Sequence, residues 1–161
     1  MPNIPNTNQN GLTLLSVGNG SNASYWGGTG TDGMYYSHTY SVSGSLTAWT
    51  TGASGYLPSF FIPAPSGQTT TLVGVIGMVH SGTSATISVY RGTGGAALPG
   101  STIAGLTGLV LTSGASSTPT ALTTPTGTVS VSDLDFFNIE ITSVSGSPDG
   151  LSLTFVFSAV V

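Results

Sequence analysis

The chain has no lysine and a single arginine, Arg91, and this scarcity of charge is what most restricts its fold. Exposed helix positions are ordinarily filled by Glu, Lys, Arg and Gln. Across 161 residues only Glu140, Arg91, Gln9 and Gln68 are on offer. Long surface helices are therefore not expected. Polarity comes from hydroxyls instead, with 24 serines and 25 threonines, and 24 glycines loosen the backbone. Val, Thr and aromatic residues recur between closely spaced turn signals, the pattern of an all-β sandwich or barrel. Hydrophobic residues make up 39% of the chain, enough to build a core rather than a disordered tail.

The same scarcity excludes functions. One cation and a net charge of −4 provide no basic patch for nucleic-acid phosphates. Nor do they provide a polybasic helix for a membrane surface. The longest nearly apolar run, LVGVIGMV, is too short to span a bilayer. Without cysteine there are no disulfides and no thiolate metal sites. The opening MPNIPNTNQN has neither the basic nor the apolar region of a secretory signal. The glycosylation-like triplets at Asn19 and Asn22 are accordingly read as chance matches.

Alternation locates the strands. TLVGVIGMVH (71–80) is apolar on both faces and reads as a central strand. SATISVYRG points Ala85, Ile87 and Val89 one way and Thr86, Ser88 and Tyr90 the other. SGT at 81–83 is expected to join these two as a hairpin. FFNIEIT turns Phe137, Ile139 and Ile141 inward and Asn138, Glu140 and Thr142 outward. LSLTFVF turns Leu151, Leu153, Phe155 and Phe157 inward, and the SGSPDG turn predicts a second hairpin. TIAGLTGLVLT and TGTVSV are weaker strand candidates. Residues 1–23, rich in Asn and Gly with two early prolines, read as an extended arm. Residues 24–56 read as a Gly- and aromatic-rich hairpin layer. The expected fold is an all-β antiparallel sandwich, jelly-roll-like, over 57–161, with the arm and hairpin layer over 1–56. Phe137, Ile139, Leu153, Phe155 and Leu72 are the expected core.

Four of the five acids fall in VSVSDLDFFNIEITSVSGSPDGLSLTFVF (129–157). Asp133 and Asp135 precede a strand, Asp149 sits in a Pro-Asp-Gly turn, and Glu140 lies mid-strand on a polar face. They read as turn and exposed-face residues. Asp133 and Asp135 supply only the first half of a calcium loop. Glu140 with Asp32 would be the only carboxylate pair for glycosidase chemistry, and nothing local supports it. His38 and His80 lie in no nucleophile motif, and two histidines are too few for a zinc site. GGTGTDG and RGTGG lack the lysine of a phosphate loop. No catalytic, metal or cofactor residues are assigned. Trp26, Tyr35, Tyr36 and Trp49 remain as a candidate interface or glycan contact, with packing favoured over a sugar platform.

Monomeric sheets guard their edges with lysine, proline or inward charge. With no lysine, this chain is expected to cover its edges with neighbouring subunits or an exchanged arm.

LPSFFIPAPSGQTTTLVGVIGMVHSGTSATISVYRG, followed by VSVSDLDFFNIEITSVSGSPDGLSLTFVF, resembles β-sandwich modules in virion structural proteins of tailed bacteriophages. Those modules occur as minor tail, fibre-associated or capsid-decoration proteins. The shared elements are a Pro-flanked aromatic lead-in, the GQTTTLVG strand start, the SGTSAT turn and ITSVSGSPDGLSLT, across residues 57–161. VYRGTGG and DLDFF depart from the pattern, without breaking the sandwich reading. The resemblance implies a non-enzymatic homo-oligomer, expected to be a trimer, on the outer surface of a virion. Its partners would be the major capsid protein or tail proteins. Capsid decoration is favoured over a minor tail or fibre component. A carbohydrate- or receptor-binding module built on the aromatic cluster is the rival reading, and a hydrolase using His38 and His80 the least favoured.

Overall fold

The computed structural model describes residues 12–16, 24–28, 34–47, 56–62, 64, 68–97, 99–113 and 122–160. Asp32, Trp49, Asn19 and Asn22, and most of the expected arm, lie outside them. The chain is all-β. Among the described residues eleven strands follow in order: β1 (Leu12–Ser16), β2 (Ser24–Gly28), β3 (Met34–Ser43), β4 (Phe60–Phe61), β5 (Thr69–Val79) and β6 (Ser84–Gly92). Then come β7 (Ser101–Thr102), β8 (Leu109–Thr112), β9 (Ser130–Val131), β10 (Phe136–Ser145) and β11 (Gly150–Val160). They form a six-stranded sheet, β1-β2-β3-β11-β5-β9, and a second sheet, β4-β10-β6-β7, with β8 also on β6. Every strand pairing is antiparallel. No helix among the described residues is long and apolar enough to cross a membrane.

The alternation places the inward rows correctly. Ala85, Ile87, Val89, Phe137, Ile139, Leu151, Leu153, Phe155 and Phe157 are all fully buried in one core shared by both sheets. Its centre is aromatic. Phe155 lies 5.2 Å from Phe60 and 5.6 Å from Phe137, and Phe157 stacks on Tyr36 at 5.2 Å. A period-2 strand must offer its apolar row to something. Here each row faces that of the opposite sheet.

That requirement overturns both expected hairpins. β5 pairs with β11 and β9, whereas β6 pairs with β10, β7 and β8. Likewise β10 lies in one sheet and β11 in the other. Residues 80–83 and 146–149 are therefore arches that carry the chain across the sandwich. Pairing within one sheet would have set both apolar rows on the same side, with nothing opposite. The arches interlock: Thr83 N–H donates to Ser145 O at 3.0 Å, and Asp149 N–H to Ser81 Oγ at 3.1 Å. Gly82 and Gly146 both have φ +70°. A Cβ on Gly82 would lie 2.5 Å from Gly146 O, so the close approach as well as the backbone requires glycine.

β3, read from sequence within the N-terminal layer, is a full neighbour of β11, in register from Gly150↔Ser43 to Ala159↔Met34. β1, from the expected arm, pairs with β2, from the expected hairpin layer. TIAGLTGLVLT is two short strands, not one. Gly105 and Gly108, at φ +83° and +67°, turn the chain between them. Ile103 and Leu106 plug into the core from that turn.

Two of the described edges, those of β5 and β10, are partly covered without lysine. Beyond β11, β5 meets β9, then Thr123, which exchanges hydrogen bonds of 2.9 and 2.8 Å with Val75, then Ser113. β10 is flanked by β4, by Leu57 N–H on Ile139 O at 2.7 Å and by Tyr56 opposite Glu140. Two-residue strands and single bridges within the chain thus cover part of these two edges, whereas β1 ends the six-stranded sheet and pairs only with β2 among the described residues. Very short edge strands are one of the ways sheets avoid sticking to each other.

Candidate functional site

The four clustered acids separate once the chain is folded. Asp133 is exposed in the β9–β10 turn, and Asp149 is exposed in the arch before β11. Asp135, expected in an open turn, is instead fully buried. Its Oδ2 accepts from Arg91 Nε at 2.8 Å and Nη2 at 2.6 Å, and from Ser132 N–H at 2.8 Å. Asp135 N–H returns a bond to Ser132 O at 2.9 Å. The chain's sole arginine is thus committed to an internal ion pair. Burial explains why: a carboxylate removed from water must be paired and hydrogen-bonded. Arg91 is 28% exposed and lines two shallow depressions of about 270 and 180 Å³, beside Gly92, Gly100 and Ser101. Among the described residues no three His, Cys, Asp or Glu side chains converge as a metal site would require.

Glu140 stands on the outer face of the five-stranded sheet. Its Oε2 accepts the Tyr90 hydroxyl at 2.6 Å, and that bond holds the Tyr90 phenol well above its usual pKa, with burial adding to the effect. Tyr56 meets Tyr90 edge to face at 5.4 Å. Neighbouring Asn138 is 2% exposed and ties down the flanking segment, its Nδ2 donating to Leu57 O at 2.6 Å and Ser59 Oγ at 3.1 Å.

The outer face of the six-stranded sheet is different. Thr39 and Thr154 share a hydrogen bond of 2.9 Å across β3 and β11, as do Ser41 and Ser152. His80 Nε2 lies 2.8 Å from Ser152 Oγ at the end of this ladder. Ile76 and Met78 border it. His38 faces the other way, stacked on Phe60 at 5.6 Å, and burial lowers its pKa. The two histidines lie on opposite sides of one sheet and do not form a common site.

The expected aromatic cluster also divides. Tyr35 and Tyr36 are adjacent in β3 and point to opposite faces. Tyr36 is 7% exposed and packs on Phe157, whereas Tyr35 is 56% exposed. Trp26 is in register with Tyr35 through β2. Trp49 is outside the described residues. The cluster that the fold does assemble is Tyr56, Tyr90 and Glu140. Alternation turned Tyr90 and Glu140 outward in the sequence, but only the β6–β10 register makes them neighbours.

No family model, no curated protein and no solved structure matches the chain.

Proposed function

We propose that the chain is a non-enzymatic structural protein of a tailed-phage virion. In this reading it is an outer capsid decoration protein that acts as a homotrimer and stabilises the shell. The strand order carries the reading. β3-β11-β5-β9 facing β4-β10-β6-β8 supports reading the sandwich as jelly-roll-like, with β1, β2 and β7 added to it. By analogy of fold, jelly rolls recur in viral capsid and lectin domains. The hydroxyl-covered, nearly uncharged surface suits permanent contact with other shell proteins, where unpaired charge would be costly to bury. Short strands within the chain cover part of the edges of β5 and β10, so subunit contacts are proposed on the faces, ends and remaining edges of the sandwich. The arm of residues 1–23 is the segment proposed to anchor each copy to a neighbour or to the underlying shell. A minor tail or fibre component is the alternative within the same setting. A sugar platform built from Trp26, Tyr35, Tyr36 and Trp49 is disfavoured by the inward turn of Tyr36.

The test is quantitative mass spectrometry of purified particles. Copy number comparable with the major capsid protein supports decoration, and a handful of copies moves the protein to the tail or a fibre. Absence from the particle overturns the virion reading. Light scattering on the isolated protein tests the trimer.

A further inference from the structure

The outer face of the five-stranded sheet carries a polar and aromatic cluster that a packing role leaves unused. Tyr56 and Tyr90 are both partly exposed, with their rings at 83° to each other. Glu140, also partly exposed, stands between their strands, opposite Tyr56 and hydrogen-bonded to Tyr90. Thr102, in register with Tyr90, and Thr142, two residues beyond Glu140, add exposed hydroxyl-bearing residues nearby. Asn138 holds the segment that carries Tyr56 against β10, so the cluster is fixed before any ligand arrives.

We propose that Tyr56, Tyr90 and Glu140 form a binding site for a neutral saccharide. A sugar ring presents C–H groups on its faces and hydroxyl donors around its rim. Phenol rings suit the former, being apolar bodies with polar tips. An ionised carboxylate only accepts, and with about four lone-pair positions it retains capacity after accepting the hydrogen bond of the Tyr90 hydroxyl. Charge narrows the choice. Glu140 repels anionic ligands, and the chain's one strong cation is committed to Asp135. The site is independent of any position in a virion: binding is read on the isolated protein, and copy number on the particle.

The experiment is calorimetric titration of the full chain with maltohexaose, cellohexaose, mannohexaose and N-acetylchitohexaose, with choline chloride as the cationic probe. At least one oligosaccharide should bind with Kd about 1 mM or tighter. Tyr56→Ala and Glu140→Gln should each weaken it about tenfold, while Tyr90→Phe, which keeps the ring, should weaken it less. Thermal unfolding of each variant checks that it is folded, and Glu140→Gln preserves side-chain shape should Tyr56→Ala fail to fold. The proposal is overturned if no oligosaccharide binds, if only choline binds, or if folded Glu140→Gln binds as the parent does.

Discussion

The two outer faces of the sandwich handle polarity in contrasting ways. On the six-stranded sheet, like meets like: Thr39 with Thr154, Ser41 with Ser152, either oxygen able to donate. On the five-stranded sheet the partners are unlike and fixed, a phenol on a carboxylate and an amide on a carbonyl. Exposed hydroxyls that lose a partner turn to water. A half-buried carboxylate has less of that recourse and a buried amide has none. The first face is therefore tolerant and the second specific, which is where a ligand site is expected.

Six substitutions test that contrast against the core common to both faces. Phe155→Ala, which empties a site packed by rings from both sheets, should cost about 3–5 kcal/mol in denaturant unfolding. A loss under about 1 kcal/mol would mean the inward phase is wrong. Next is the ion pair, where the two partners should differ. Arg91→Gln leaves a fully buried carboxylate without its cation and should cost about 3 kcal/mol. Asp135→Asn leaves a guanidinium that reaches water and should cost clearly less in the same unfolding measurement. Equal losses would indicate that burial of Asp135 does not set the energetics.

Tyr90 should give a smaller, pH-dependent effect. Its folded pKa is raised, so above the ordinary value of 10.0 the unfolded chain loses this proton first. Stability from the Tyr90–Glu140 bond is complete below that pH and declines as pH rises through the alkaline range. Tyr90→Phe should flatten that decline, and phenolate absorbance should show one tyrosine fewer with delayed ionisation. Smallest of all, Thr39→Val and Ser41→Ala should each shift stability by no more than about 0.5 kcal/mol. A larger loss would make the hydroxyl ladder a specific network and erase the contrast.

What could be read from sequence follows the same physics. Which residues of β6, β10 and β11 face inward depends only on alternation along each strand, so Ile87, Phe137 and Leu153 were legible. Which strand lies beside which depends on where the apolar rows find cover, and a short Gly-Ser turn looks the same in an arch as in a hairpin. Asp135 was misplaced for a related reason. Its turn chemistry with Ser132 is as expected, but its burial comes from Arg91, 44 residues away. Tyr56, Tyr90 and Glu140 carry no shared spacing, and only the register brings them together.

The crossing of consecutive strands between sheets bears on how the molecule is made. Of the long strands only β10 pairs with the long strand that precedes it, β6, and three short strands separate even those two, so each sheet must wait for distant segments. Folds dominated by such pairings characteristically form in milliseconds to seconds rather than microseconds. The wait is longest for the six-stranded sheet, because β11 lies between β3 and β5 and joins them. Until residues 150–160 leave the ribosome, β3 and β5 have no common neighbour and their apolar rows stay uncovered. Partial chains of this sandwich are thus a distinct hazard for aggregation, and its folding is coupled to completion of its last strand.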